Sequence, residues 1–354
     1  MAGKVLTSTF LALLSAIPSA NVLSVQQNEN AAQREELEVR LTADLVLVPV
    51  EVTVKKTGLP VTGLKKEDFI LFEDDKPQRI VFFGQDDIPL SLLLLVESRF
   101  IEEVARAARV VLGYLKPEDE VAIMVFHGKP CVIQELTREK DAVIARLEAL
   151  AAEERNRGFE TSESCWGTYH SIYNRYSLLW TSVYEGADYL LRSSDRGRRR
   201  AMIVFTFNLG EGDPRTSEKE RRELRQKVLQ RLYESDIVVS GVITSHFYVR
   251  FIWGVMGRPF FKGFGIDELV EVTGGRMGSA KPGEALNVEK LARLIAHLRA
   301  QYVLGYLPAD ATADGRLRRI KIELSPAAKK KHKDVELRYR QGYIYRRARE
   351  EASK

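Results

Sequence analysis

At 354 residues the chain is long enough for two compact units, and 45% hydrophobic with 29% charged residues is a globular rather than a disordered composition. Lysine and arginine total 54 against 49 acids, a formal charge of +5 that is too small to single out nucleic acid or an anionic surface as partner. The basic runs Arg196–Arg200, Lys329–Lys333 and Arg346–Arg349 fall at element ends and in the tail, where solvated charge is the expected reading. Two cysteines and five histidines argue against a structural zinc site. A Cys131–Cys165 disulfide is open to an exported chain, but the sequence does not give their separation in space.

Lys4 precedes an apolar stretch, Val5–Ala20, interrupted only by serine, threonine and Pro18 and followed by small residues. That is the pattern of a signal peptide over 1–24. Val22 and Ser24 suit the cleavage positions, with Ala20 as a rival, and a retained anchor is the alternative. The segment is short for a membrane span, and no later run is long and apolar enough to cross one. Residues 25–39 are polar and expected to be a flexible leader.

Then Leu45–Val54 is β-rich and ends at the turn signal Lys55-Lys-Thr-Gly58. Phe69–Phe72 and Ile80–Phe83 bracket Glu73–Pro77 as a predicted hairpin, so 40–86 reads as strands and tight turns. From Ile88 strands alternate with helices. Leu90–Val96 is apolar except for Ser91, as a strand covered on both faces should be. Val104, Ala107, Ala108, Val111, Leu112 and Leu115 recur at helical spacing. Val121–Phe126 is the next strand, and Thr137 is placed to cap a helix carrying Val143, Ile144, Leu147 and Leu150. A helix follows over Leu179–Leu191, then a strand over Ala201–Phe207. Ser217 with Glu220 forms a capping box ahead of Leu224, Val228 and Leu232. Ile237–Ile243 is a strand, Ile266–Val272 a short helix ended by Gly274-Gly275, and Val288–Leu298 a final helix. After Gln301 the strands Tyr302–Leu307, Leu317–Leu324 and Val335–Tyr339 return. The predicted architecture is an α/β unit, 87–300, with a doubly wound, mostly parallel sheet and helices on both faces. It is inserted in a small β-sandwich-like domain built from 40–86 and 301–345, with a charged tail over 346–354.

Asp87-Ile-Pro-Leu-Ser-Leu-Leu-Leu-Leu95 resembles the first strand of von Willebrand factor A-like (VWA) domains. More narrowly, five segments in order resemble the VWA-related proteins described from Acidobacteria. They are Leu45-Val-Leu-Val-Pro-Val50 with Pro60–Phe69, Phe72-Glu-Asp-Asp-Lys-Pro-Gln78, Asp267–Arg276, Gln301–Pro308 and Arg340-Gln-Gly-Tyr343. The resemblance spans about 42–345. It implies a metal-ion-dependent adhesion site in which an Asp-x-Ser-x-Ser loop, a threonine and an aspartate hold a hard divalent cation such as magnesium through oxygens. In this chain the first aspartate position is Glu97, and the serine positions are Arg99 and Ile101. The threonine corresponds to Thr181, and the last aspartate meets Phe207 or Asn208. Two of three loop oxygens are lost and a guanidinium arrives where a cation would sit, so the site is expected to be degenerate. Magnesium is expected only if Glu211 or Asp213 rebuilds it.

Two loops, Asn156–Tyr176 and Phe247–Phe264, are rich in aromatic residues, and Trp166, Tyr169, Trp253 and Phe260 are candidate partner anchors together with Arg99. The expectation is an exported, non-enzymatic protein-binding or scaffold protein of the periplasm, cell envelope or extracellular space, with no cofactor, a protein partner and no nucleic acid. The rival readings are a hydrolase using loop histidines His127, His170 and His246, or a basic surface protein for nucleic acid or anionic lipid. No serine or cysteine sits in a nucleophile-elbow context to favour the hydrolase.

Overall fold

Strands from both ends of the chain interleave around a central α/β unit. The computed structural model describes residues 45–85, 88–126, 129–157, 178–195, 197–206, 217–244, 265–280 and 288–345, all within one compact unit, Asp44–Lys354. In chain order the first elements are β1 (Val46–Val54), β2 (Phe69–Glu73), β3 (Lys76–Gln78), β4 (Ile80–Gln85) and β5 (Leu90–Glu97). Next come α1 (Ile101–Leu112), β6 (Glu120–Phe126), β7 (Cys131–Thr137), α2 (Lys140–Arg157), α3 (Leu179–Ser193) and β8 (Arg199–Thr206). Then follow α4 (Glu218–Ser235), β9 (Ile237–Thr244), α5 (Ile266–Thr273), β10 (Met277–Ala280) and α6 (Val288–Arg299). The last are β11 (Tyr302–Tyr306), β12 (Leu317–Leu324), α7 (Pro326–Lys331), β13 (Val335–Tyr339) and β14 (Gly342–Ile344).

The sandwich has two four-stranded sheets, ordered β13-β1-β11-β4 and β14-β12-β2-β3. Each mixes strands from both ends of the chain: Val50 of β1 lies opposite Tyr302 of β11, and Phe69 of β2 opposite Leu324 of β12. The strand period sends Val48, Val50 and Val52 into the shared core with Leu71, Leu304 and Ile322, and turns Glu51 and Thr53 to the other face. The expected 69–83 hairpin is corrected. β2 pairs with β3 through a tight turn at Asp74 and Asp75, both at positive φ, while β4 crosses to the other sheet and pairs with β11. Pro77, in the middle of β3, has no N–H to offer a further strand, which suits the edge position of β3.

The central sheet runs β10-β9-β8-β5-β6-β7. Its pairs are parallel except β6–β7. Numbered from β5, this is the doubly wound order 3-2-1-4-5-6. It is a VWA-like α/β domain inserted in a small sandwich. Leu92 and Leu94 face α1, α2 and α6, while Leu93 and Leu95 face α3, α4 and α5, so every residue of β5 is buried. Five short elements were absent from the expected set: β3, β7, β10, α7 and β14. β7 is half-exposed almost throughout, so it lacks the alternation that marks a half-buried strand. Ser217 and Glu220 form the expected capping box. No helix among the described residues is long and apolar enough to cross a membrane.

The arginine run 198–200 is not solvated, contrary to expectation. Arg198 is buried at the start of the sheet, where it donates to Ser91 Oγ at 3.0 Å and to the carbonyls of Leu90 and Glu118, and pairs with Glu120. Nearby, buried Asp119 accepts from Leu90 N and Lys116 N, each at 2.8 Å, and from Arg299. A short tight turn between α1 and β6 needs these side chains to satisfy its backbone groups, which outweighs the hydration of the charge.

The sandwich joins the α/β unit at this same end of the sheet. Glu51, 2% exposed, accepts from Arg276 Nε at 2.5 Å, and its other oxygen lies against His297 Nδ1. Arg276 also reaches Thr53 Oγ1 at 2.8 Å. Gln341 N donates to Val272 O at 3.0 Å, and Arg340 reaches Leu47 O at 2.8 Å and the carboxylate of Asp236. Gly274 closes α5 with φ 75°, and any Cβ there would stand 2.4 Å from the Tyr339 carbonyl carbon. Only glycine fits so close an approach in that conformation.

Candidate functional site at the strand ends

A doubly wound sheet opens a crevice at the C-terminal ends of its strands, at the switch between the first and fourth. Here those strands are β5 and β8. Their register sets Val96 beside Phe205, so the final residues Glu97 and Thr206 come side by side. Thr206 Oγ1 donates to Glu97 Oε2 at 2.9 Å, with Glu97 2% and Thr206 0% exposed. A hydroxyl donating to a buried carboxylate makes a charge-assisted bond, stronger than one between neutral groups.

After Glu97 the chain has no free loop. Ser98–Phe100 is a single 3-10 turn that runs directly into α1. Phe100 and Ile101, 3% and 0% exposed, join the core beneath α1 with Val104, which forces the early turn into helix. The Ile101 position therefore supplies packing and no oxygen. Arg99 belongs to the turn by its backbone, and its side chain lies outside the described residues. Thr181 sits half-buried in the first turn of α3, between buried Trp180 and Ser182. The far end of α3 is fixed by Ser194 Oγ, 2.7 Å from Ser91 Oγ at the start of β5. Fifteen helical residues rise about 22 Å, so the first turn, with Thr181, is at the Glu97 end of the sheet.

Phe207 and Asn208 follow Thr206 directly and lie outside the described residues, as do Glu211, Asp213, Trp166, Tyr169, Trp253, Phe260 and the histidines His127, His170 and His246. The described residues that bracket the two aromatic loops are Arg157 and Leu178 for one, Thr244 and Gly265 for the other. Topology puts both pairs at the strand-end side. α2 starts beside Pro117 and Asp119 at the opposite end and runs back along the sheet, and β9 finishes next to Thr206.

Thr206 was missed by the sequence reading, which looked one residue later. The available signal was symmetry: Leu92–Val96 closes on polar Glu97, and Ala201–Phe205 closes on polar Thr206. Among the described residues no group of three or more His, Cys, Asp or Glu side chains is arranged to hold a metal ion. At the strand ends they supply one carboxylate with hydroxyls beside it, a thin set against the six oxygens magnesium takes.

No protein-family model and no curated protein matches the chain. Among solved structures it is similar to an aerotolerance-related membrane protein from Bacteroides fragilis, 14% identical over 44% of this chain and 67% of that one, TM-score 0.29. It is similar to the conserved hypothetical protein BatB from Bacteroides thetaiotaomicron, 13% identical over 59% and 98%, TM-score 0.35. A third is the vWF domain of the type V pili tip protein Mfa5 from Porphyromonas gingivalis, 12% identical over 34% and 38%, TM-score 0.23. The fold assignment rests on the strand order above.

Proposed function

We propose that this chain is an exported, non-enzymatic binding or scaffold protein of the VWA-related kind its segments resemble. Its strand-end pole is the partner surface, and Arg99 acts there in place of the metal of a degenerate adhesion site. The observation that carries this reading is the Glu97–Thr206 bond beside a core-packed Ile101. The position that opens the metal loop is occupied with a neighbouring hydroxyl, and the position that would close it is an aliphatic anchor. A guanidinium two residues after Glu97 offers a partner carboxylate a planar, permanently charged fork and needs no oxygen cage. Aromatic loops rooted at the same pole supply the apolar anchors such interfaces use. Export is supported by the signal-like segment 1–24 and by Cys131, which is disulfide-bonded, a bond that persists in oxidising compartments.

The test has two arms, both on the full chain. Melting is first compared in EDTA and in magnesium. A ligand present at a hundred times its dissociation constant stabilises by about 2.7 kcal/mol, a shift of several degrees, whereas no shift is expected here. Capture of partners from envelope extracts is then compared for the parent and Arg99→Ala. Capture that ignores EDTA and collapses in the variant is the expected result. A magnesium-dependent rise in melting temperature, or capture abolished by EDTA and restored by magnesium, would overturn the reading.

A further inference from the structure

Two crossovers close one end of the sandwich. The first, 55–68, leaves β1 and enters β2; the second, 325–334, leaves β12, contains α7 and enters β13. Backbone bonds tie them together, Lys55 N to Asp334 O at 2.9 Å and Ser325 N to Asp68 O at 2.8 Å. The crossovers bring to this end Lys55–Lys56, Lys65–Lys66, Lys329–Lys331 and Lys333, all eight of them exposed. Against them the same segments hold three acids, Glu67, Asp68 and Asp334. Glu323 on β12 engages Lys329 as well as Lys321. Beside the lysines, at the tip of the turn after Gly58, stands Leu59, 63% exposed and the most exposed large hydrophobic residue described. The run 329–333, expected as isolated solvated charge, is thus one part of a patch assembled from sequence-distant segments.

We propose that this end of the sandwich docks peripherally on an anionic phospholipid surface, lysines over the headgroups and Leu59 in the interfacial layer. The composition favours a bilayer over nucleic acid. Neither crossover contains a phenylalanine, tyrosine or tryptophan on which a base could stack, nor an arginine fork for base edges, and the one imidazole, His332, is half-buried. Compact lysine charges over a broad area match a lattice of phosphates, and an apolar tip among them is what interfacial binding adds to electrostatic attraction. The sandwich meets the α/β unit at the N-terminal ends of its strands, so a bilayer held here leaves the strand-end pole open.

The experiment is vesicle sedimentation of the full chain on phosphatidylcholine with and without phosphatidylglycerol. Neutral vesicles measure any binding by the apolar stretch Val5–Ala20. Each lysine near an anionic surface strengthens binding about five-fold, and the attraction fades with added salt. The quadruple variant Lys329→Gln, Lys330→Gln, Lys331→Gln, Lys333→Gln is expected to lose several-hundred-fold, on the order of five-fold per lysine, on phosphatidylglycerol vesicles only. Lys55→Gln with Lys56→Gln, on the other crossover, is expected to lose roughly twenty-five-fold by the same rule, and Leu59→Ser about ten-fold with an unchanged salt slope. Urea midpoints check that each variant folds. Equal affinity of the parent for both vesicle types, or undiminished binding by the folded lysine variants, would overturn the proposal. Lysine-dependent binding of inorganic polyphosphate or duplex DNA as tight as that of the vesicles would also overturn it, and would assign the patch to soluble polyanions.

Discussion

Replacing Gly274 by alanine tests the joint between sandwich and α/β unit. Gly274 has φ 75°, where an L-residue pays about 1–2 kcal/mol. Its new Cβ would stand 2.4 Å from Tyr339 C, 2.6 Å from Tyr339 Cα and 2.8 Å from Arg340 N. All three are backbone atoms, so no rotamer relieves the clash and the end of β13 must move off α5 by roughly 1 Å to reach ordinary contact. That movement stretches the Gln341–Val272 bond and strains the neighbouring Arg276–Glu51 pair. Overpacking of this kind costs about 1–3 kcal/mol on top of the conformational cost, giving roughly 3 kcal/mol in all. Gly58 is the matched control, at φ 70° with nothing within 4 Å of its Cβ, so Gly58→Ala should lose only about 1 kcal/mol. Urea unfolding of the two full-length variants measures the difference. Equal losses would show that the close approach is not a real constraint, and the account of the joint would fail.

Thr206→Val should cost about 1–3 kcal/mol in urea unfolding, because it removes a donor from a buried carboxylate without changing shape, while Thr206→Ser should be close to the parent. Glu51→Gln should cost about 3 kcal/mol, since it leaves Arg276 facing a half-buried site without its counter-charge, and a cost near zero would refute the pair's structural role. Glu323 is held down to about 2 from 4.5, by its hydrogen bond from Lys321 first and that from Lys329 second. Its contribution is therefore present above pH 4.5 and is lost as pH falls toward 2, and an NMR titration of its carboxyl midway near 4.5 would contradict this.

The elements legible in the sequence are those whose burial is periodic or complete. β5 is apolar on both faces, α1 and α3 carry apolar stripes, and the Ser217–Glu220 box marks a helix start by local hydrogen bonding alone. β7 and β14 escaped because an edge strand or a three-residue strand writes little pattern into its side chains. Arg198 escaped for a different reason: its burial is decided by carbonyls at the starts of β5 and β6, 108 and 80 positions away, of which the local sequence gives no sign, as with Glu51 and Arg276, whose separation is 225 positions. At the strand ends the positions of Glu97, Ile101 and Thr181 followed from the resemblance, but the bond that joins β5 to β8 depends on the register between parallel strands.

Apart from Asp87–Leu95, which enters β5, the segments quoted for the resemblance lie in the sandwich and at its joint with the α/β unit. Asp267–Arg276 supplies Gly274 and Arg276, Arg340–Tyr343 supplies Arg340 and Gln341, and Leu45–Val50 supplies the carbonyl of Leu47. Tyr306 from Gln301–Pro308 and Tyr343 both donate to Glu73, at 2.5 and 2.6 Å, in the core of the sandwich. Close backbone approach and buried carboxylates leave little choice of residue, so these positions are demanding. At the strand-end pole the same demand falls on Glu97, a buried carboxylate bonded from β8, and on Ile101, which packs in the core. On the proposed function, changes in the loops rooted there are expected to fall on partner binding.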